Sequence, residues 1–246
     1  MHNAPKTKPL FFYTTAPLPC PYIEGREERK VVVELSGREA VRLHDDLSRA
    51  GFRRSHGIAY TPACSGCNAC IPLRVNVEGF RLSASRSLKR VWNANPGITV
   101  EEKPALATAE QYRLFARYQD GRHSDGDMAS MSFYDYQVMI EDTSIDTFIA
   151  EFRDPDGLLK AVCLFDRLGD GLSAVYSFFD ISDSKRGLGT YMVLWCIEQA
   201  RRADLPYVYL GYWIRECRKM SYKTRFEPCE ALIDGVWRRL DFKDPA

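Results

Sequence analysis

The most restrictive stretch of this chain runs from residue 146 to residue 212. It holds three strand-like runs: Asp146 to Phe152, Leu158 to Asp166 and Leu172 to Phe179. Asp156-Gly157 and Gly169-Asp170-Gly171 separate them. Turns of that chemistry close hairpins, so the three runs are expected to form an antiparallel meander. Gly187-Leu188-Gly189-Thr190 then opens a long apolar helix that reaches about Arg202, and Tyr207 to Tyr212 follows as a buried strand. A glycine turn at that point leaves backbone N–H groups free at a helix N-terminus, where an anion can bind.

Two helices are expected before the meander. One covers Ala109 to Gln119, with Tyr112, Phe115 and Ala116 on one face. The other covers Ser132 to Ile140, with Ser132 as its cap. A helix at about residues 215 to 223 and a hairpin around Asp234-Gly235, from Glu230 to Leu240, close the chain. This order resembles the GNAT acyltransferase fold. The expected class is α+β, with a GNAT-like acyltransferase domain over residues 101–246. That fold serves acyl donors other than acetyl-CoA, so fold alone does not settle the chemistry.

A smaller, Cys-containing α/β part is expected over residues 1–100. Strand character begins at Phe11-Phe12-Tyr13 and continues in Lys30 to Leu35. Ser36 with Glu39 fits a capping box for a helix that Gly51 stops. Leu73 to Val77 alternates like a strand, and Ser85 to Asn93 reads as a short basic helix ended before Asn95-Pro96-Gly97. The boundary between the two parts is expected near residue 100, where the charge reverses. Residues 1–100 carry 15 Lys and Arg against 8 Asp and Glu; residues 101–158 carry 5 against 13; residues 159–246 carry 14 against 12.

With 246 residues, 45% of them hydrophobic, the chain can bury a core and is not disordered. No stretch approaches the roughly 18 apolar residues of a membrane span. Met1 to Pro9 is polar, so no secretory signal is expected, and the setting is expected to be cytoplasmic with the 8 Cys reduced. Cys163, Cys196, Cys217 and Cys229 lie among apolar neighbours and read as buried hydrophobes. Cys20 and the run Cys64-Ser65-Gly66-Cys67-Asn68-Ala69-Cys70 are different. Four such thiolates suit a tetrahedral Zn²⁺ or an iron–sulfur cluster. The alternative is a loop of small packed thiols.

Longer motifs point further. They are Cys20-Pro21-Tyr22 through Arg29, Gly51-Phe52-Arg53-Arg54-Ser55, Tyr60-Thr61-Pro62-Ala63-Cys64 through Cys70, and Arg186-Gly187-Leu188-Gly189-Thr190. Leu210 to Ile214, Lys219-Met220-Ser221-Tyr222-Lys223 and Phe226-Glu227-Pro228 continue the series. In these, from about residue 10 to 240, the chain resembles the arginyl-tRNA–protein transferases, and most of all their bacterial branch, the aspartate/glutamate leucyltransferases. The resemblance implies transfer of leucine from leucyl-tRNA to the α-amino group of proteins that begin with Asp or Glu, marking them for degradation. It implies no membrane partner. Arginyl-tRNA as donor is the alternative within the family.

The residues can be tested against that reaction, the aminolysis of an activated ester. An unperturbed α-amine has a pKa near 7.7 to 8.0, so the reaction needs no strong nucleophile and no cofactor. Positioning alone can contribute about 7 to 11 kcal/mol. No Ser-His-Asp arrangement is present. Of four His, His2 lies in the tail, His44 on an expected exposed helix face, His56 after the Arg54 motif and His123 in a polar loop. Tyr222 and Lys223 are the catalytic candidates, and the general base stays open. An acidic acceptor calls for cations, and Arg26, Arg29, Arg53, Arg54, Lys219, Lys223 and Arg225 are available, unless they pair with Glu24, Glu27 and Glu28. Arg81, Arg86, Lys89 and Arg90 beside Trp92 suit a tRNA backbone and its bases. Gly187, Gly189 and Thr190 suit the terminal adenosine or a phosphate, and Tyr212 and Trp213 the donor pocket. An apolar pocket from residues such as Phe178, Leu194 and Tyr212 would suit leucine as donor, and an acidic pocket would suit arginine. Ser184 stands where an acetyl-CoA site wants Gln or Arg, which disfavours an acetyl-CoA-dependent N-acetyltransferase. A non-enzymatic, metal-stabilised nucleic-acid-binding module is the third reading.

Overall fold

The computed structural model describes residues 9–124 and 126–240. Its first strands are short: β1 (Tyr13–Thr14), β2 (Leu18–Pro19) and β3 (Glu27–Glu28). β4 (Lys30–Glu34), α1 (Ala40–Arg49), β5 (Arg53–Ser55) and β6 (Ile58–Pro62) follow. Strands in the order β1-β4-β6-β5 form a four-stranded antiparallel sheet. Val33, Leu35, Leu47 and Ala59 bury against each other under α1. Of the expected Phe11 to Tyr13 strand, only Tyr13 pairs.

Helix α1 departs from expectation twice. Its Ser36/Glu39 capping box does not form, because the chain turns through Gly37 at φ +77° and the helix starts only at Ala40. His44, expected on an exposed face, is buried, because that face of α1 lies on the sheet beside Asp166.

The second sheet has eight strands. They are β7 (Ile71–Asn76), β8 (Thr99–Pro104), β9 (Thr147–Arg153), β10 (Leu159–Leu168), β11 (Gly171–Phe179), β12 (Tyr207–Trp213), β13 (Cys229–Ile233) and β14 (Val236–Arg239). The spatial order is β14-β13-β7-β12-β11-β10-β9-β8. The meander β9-β10-β11 is antiparallel as expected. The charge reversal near residue 100 coincides with no break in the sheet. β7 lies between β12 and β13, antiparallel to both, with Pro72 opposite Tyr212.

Side chains alternate across this sheet. Cys163 and Phe165 point to one face, into a core with the helix α5 (Leu188–Arg202). Val162 and Leu164 point to the other, under α3 (Ala109–Arg122) and α4 (Phe133–Glu141). α5 buries residues around most of its circumference, including Leu188, Met192, Trp195 and Ile197, which is why its sequence is apolar on all sides. The helix α2 (Arg86–Asn93) packs on α5 through Trp92 and Tyr191, whose ring centroids are 5.4 Å apart. Ser132 caps α4 as expected, in a full capping box with Asp135, and Ser85 caps α2 by accepting from the Leu88 N–H. The expected helix at 215–223 is instead a 3-10 segment, Arg218–Arg225. Among the described residues, no helix is long and apolar enough to cross a membrane. The architecture is α+β and GNAT-like, with the cysteine-bearing N-terminal sheet at its flank.

Candidate active site at a strand splay

β11 and β12 run parallel, but only Gly171, Leu172 and Ser173 pair, with Tyr207, Val208 and Tyr209. Beyond Ser173 the two strands part. β12 bulges there, between Tyr209 and Gly211, and Gly211 adopts φ +69°. The parted strands leave carbonyls without a ladder partner, and these must find donors elsewhere. Arg53 of β5 supplies them. Its Nη2 donates to the carbonyls of Ala174 at 3.2 Å and Val175 at 2.9 Å. The guanidinium lies so close over Gly211 that any Cβ there would collide with it. Arg53, a candidate for holding a substrate carboxylate, instead commits one of its nitrogens to the protein backbone.

Lys223 stands behind Arg53. Its side chain is buried, and its ammonium nitrogen donates to the carbonyl of Tyr212. Burial, with the Arg53 charge adding to it, lowers its pKa to about 7. An amine with that pKa is half neutral at physiological pH and can accept a proton. Tyr222 next to it remains 38% exposed, and desolvation of its phenol raises the pKa, so it stays protonated and can donate. Tyr212 turns inward; its hydroxyl lies 3.1 Å from the carbonyls of both Gly51 and Tyr60. Trp213 is buried against Leu73 and Ala231. Tyr212 therefore joins this sheet to the first, and Trp213 packs on strands of its own sheet.

Arg54 is not at the splay. Its Nε and Nη2 each donate to Asp166 at 2.8 Å, and its Nη1 reaches the carbonyl of His56 at 3.1 Å. Thr147 donates to the same carboxylate at 2.8 Å, and His44 Nε2 lies 3.6 Å away. The side chains of Arg54 and Asp166 are 1% and 0% exposed. This corrects the expectation that Arg54 binds substrate. Its fork is filled by a carboxylate of β10, and the pair clamps the first sheet to the second.

The cysteine loop sits close by. Arg26 donates to the Cys67 sulfur at 3.1 Å, and the backbone N–H of Arg29 to the Cys64 sulfur at 3.4 Å. The alternative, pairing of these arginines with Glu24, Glu27 or Glu28, is absent among the described residues; Glu28 pairs with Lys30 at 2.8 Å. The Ala69 N–H and the Arg26 guanidinium lower the Cys67 pKa. Desolvation, and the nearness of Cys64, Cys20 and Cys67, push Cys70 up to about 12. The four thiols thus share a neighbourhood. Among the described residues, however, no three His, Cys, Asp or Glu side chains are arranged to hold a metal ion. Cys163, Cys196 and Cys229 are buried as expected, whereas Cys217 is only half-buried.

The glycine turn lies on the far side of the splay. Gly187, at φ +62°, begins α5, and Asn95 holds the turn by donating at 2.8 Å to the carbonyls of both Arg186 and Val91. A Cβ at Gly189 would come within 3.0 Å of the Phe179 ring, so the glycine allows close packing on β11. Thr190 is half-buried in the first turn of α5. Around this turn Arg86, Lys89, Arg90 and Lys185 are exposed. Arg225 and Lys219 are exposed too, and Arg225 reaches Ser87 Oγ at 3.2 Å. None of these six cations is in an ion pair among the described residues; Arg86, Lys89 and Arg90 of α2, with Arg225 beside Ser87 and Lys185 at the turn, make a basic strip. Trp92, expected to stack on bases, is turned inward onto Tyr191.

Sequence reasoning misses one cavity. It is open, about 590 Å³, and lies between α3 and the end of β11. Leu114, Tyr118, Phe179 and Ile181 give it an apolar lining. Phe178, Leu194 and Tyr212, the residues considered for a leucine pocket, are all buried in the packed interior. Leu114 and Tyr118 stand one turn apart, a signal that marks them as neighbours but not as a pocket wall.

Two parallel strands that part after three pairs, beside a helix opened by a glycine turn, make a GNAT-like arrangement. The chain belongs to the arginine-tRNA-protein transferase family. Residues 18–90 match the family's N-terminal region and residues 110–233 its C-terminal region. The aspartate/glutamate leucyltransferase of Paramagnetospirillum magneticum is 62% identical over 240 residues, covering 98% of each chain. That of Rhodospirillum rubrum is 54% identical over 242 residues, again covering 98% of each. That of Gluconacetobacter diazotrophicus is 57% identical over 234 residues, covering 95% of this chain and 89% of its own. The crystal structure of FemX is similar at 9% identity with a TM-score of 0.48, covering 78% of this chain and 65% of that one.

Proposed function

We propose that the chain transfers leucine from leucyl-tRNA to the α-amino group of proteins that begin with Asp or Glu. The near full-length identity to aspartate/glutamate leucyltransferases carries this reading. The geometry supports a mechanism. The α-amine nitrogen attacks the ester carbonyl carbon, giving a tetrahedral intermediate. The neutral Lys223 amine takes the proton that the nitrogen sheds. The carbon–oxygen ester bond then breaks, and that proton passes to the leaving ribose oxygen. An amide and a free tRNA hydroxyl result, with no net proton change and no cofactor. Tyr222, still protonated, donates to the developing oxyanion. All eight cysteines are free thiols, which supports a reducing, cytoplasmic setting.

The test is a transfer assay with tRNA charged separately with labelled leucine or arginine. Acceptor peptides begin with Asp, Glu, Arg, Lys or Ala. Label from leucyl-tRNA on the Asp and Glu peptides alone is expected. Label from arginyl-tRNA would change the donor and keep the mechanism. No label on any peptide would overturn the reading.

The basic strip supports a tRNA partner through its phosphates. Replacing Arg86, Lys89 and Arg90 together by Ala is expected to weaken charged-tRNA binding at 100 mM salt. The slope of log K against log salt should fall by about 0.7 to 0.9 for each phosphate that the variant no longer neutralises. An unchanged slope in a fluorescence titration from 50 to 200 mM salt would place the tRNA elsewhere.

A further inference from the structure

We infer that the cavity between α3 and the end of β11 receives the side chain of the donor aminoacyl group, and that Ile181 and Phe179 set the largest side chain accepted. This rests on the aminoacyl-tRNA reading above and adds the residues that choose the donor.

Three observations meet in the cavity. The first is its lining. Leu114, Tyr118, Phe179 and Ile181 offer an aliphatic and aromatic wall, and burial of apolar surface there rewards a branched aliphatic side chain. Of the two carboxylates in the lining, Asp120 is exposed to solvent beside Arg117 in sequence, and Asp180 is already compensated. Asp180 accepts from Lys160 at 2.5 Å and from the Ser182 hydroxyl at 2.6 Å, which leaves it little to offer a cationic guest. Arg117, exposed at the rim, makes no ion pair among the described residues and repels an arginyl group.

The second is position. Phe179 in the cavity wall packs against Gly189 in the first turn of α5, where the basic strip gathers. Tyr118 packs against the Phe179 ring, 5.0 Å centroid to centroid, continuing the same wall onto α3, and lies within electrostatic reach of Tyr222. A donor held by its phosphates at the strip can therefore drop its side chain into the cavity and leave its ester at Tyr222 and Lys223.

The third is a built-in spacing. Gly121, near the end of α3, lies against Ile181, and a Cβ at that position would collide with the Ile181 Cδ1. The glycine lets Ile181 lie back on the helix and keeps the cavity deep. Specificity by one or two methylenes is worth about 10- to 200-fold in such a pocket.

The test measures kcat/KM for leucyl-, alanyl- and arginyl-tRNA with one Glu-initiated peptide, using the full chain. Ile181→Trp fills the cavity, and Gly121→Ala pushes Ile181 into it. Both are expected to lower the leucyl-to-alanyl ratio, by at least about tenfold for Ile181→Trp and less for Gly121→Ala. The same direction in Gly121→Ala alone suffices if Ile181→Trp does not fold. A ratio unchanged in the folded variants, while leucyl transfer proceeds, would overturn the cavity assignment and leave the donor reading intact. No transfer by the unmodified chain from any of the three donors would overturn the donor reading and the assignment with it.

Discussion

Lys223→Met is expected to lower kcat for leucyl transfer by about 10²- to 10⁴-fold, the range supplied by a positioned proton acceptor. The pH profile separates this role from a structural one. In the parent chain, kcat at saturating substrates should rise through about pH 7 as Lys223 loses its proton. The variant should keep only the rise of the acceptor amine itself, near its own pKa of about 7.7 to 8.0. Its stability should move oppositely. The Lys223 pKa is depressed in the folded chain, from 10.5 to about 7, so between those values the unfolded state holds one more proton. The penalty for burying Lys223 is absent above pH 10.5, grows as pH falls, and levels off below about 7. The Tm of Lys223→Met relative to the parent should therefore be higher at pH 7 than at pH 9. An unchanged kcat, or a pH profile that keeps its limb near 7, would remove Lys223 from the chemistry.

Asp166→Ala is expected to be the most destabilising single change near the site. It strands the buried Arg54 guanidinium and removes the acceptor of Thr147. Removing one partner of a buried pair costs about 3 to 5 kcal/mol. For a chain of this size each kcal/mol moves Tm by about 2 to 4 °C. Replacing both partners with apolar residues, as Arg54→Met with Asp166→Leu, should recover most of the loss, because no charge is then left unpaired. Differential scanning calorimetry of the two single variants and the double variant reads this directly. A loss below about 1 kcal/mol for Asp166→Ala would mean that water reaches Arg54 and that the clamp is weak.

Those two residues show where the sequence is legible. The meander can be read because its turn chemistry is local. Asp154 accepts from the N–H groups of Asp156 and Leu158 while Gly157 takes φ +81°, and all of that lies within five residues. The caps at Ser85 and Ser132 are equally local. Lys223 and Tyr222 stand out by motif, although the burial that retunes Lys223 comes from elsewhere in the chain. Arg53 and Arg54 are visible as adjacent cations, but their partners, Val175 and Asp166, lie 122 and 112 residues on. Adjacent residues of a strand point to opposite faces, so one reaches the splay and the other the interior clamp. His44 misleads for the same reason: α1 is amphipathic in pattern, and only tertiary contact reveals which polar residue is enclosed.

The place of β7 has a consequence for how the protein is made. A ribosome emits Ile71 to Asn76 early, yet the strands on both sides of it, β12 and β13, come near the end. At about 5 to 20 residues per second, the interval from residue 76 to residue 213 is roughly 7 to 27 s. Throughout it an apolar strand with two open edges waits without a partner, the condition under which nascent chains stick to one another. A fragment cut near residue 100 would keep that state permanently. Any attempt to graft the N-terminal region onto another catalytic body must leave β7 behind, because topologically that strand belongs to the body that follows it.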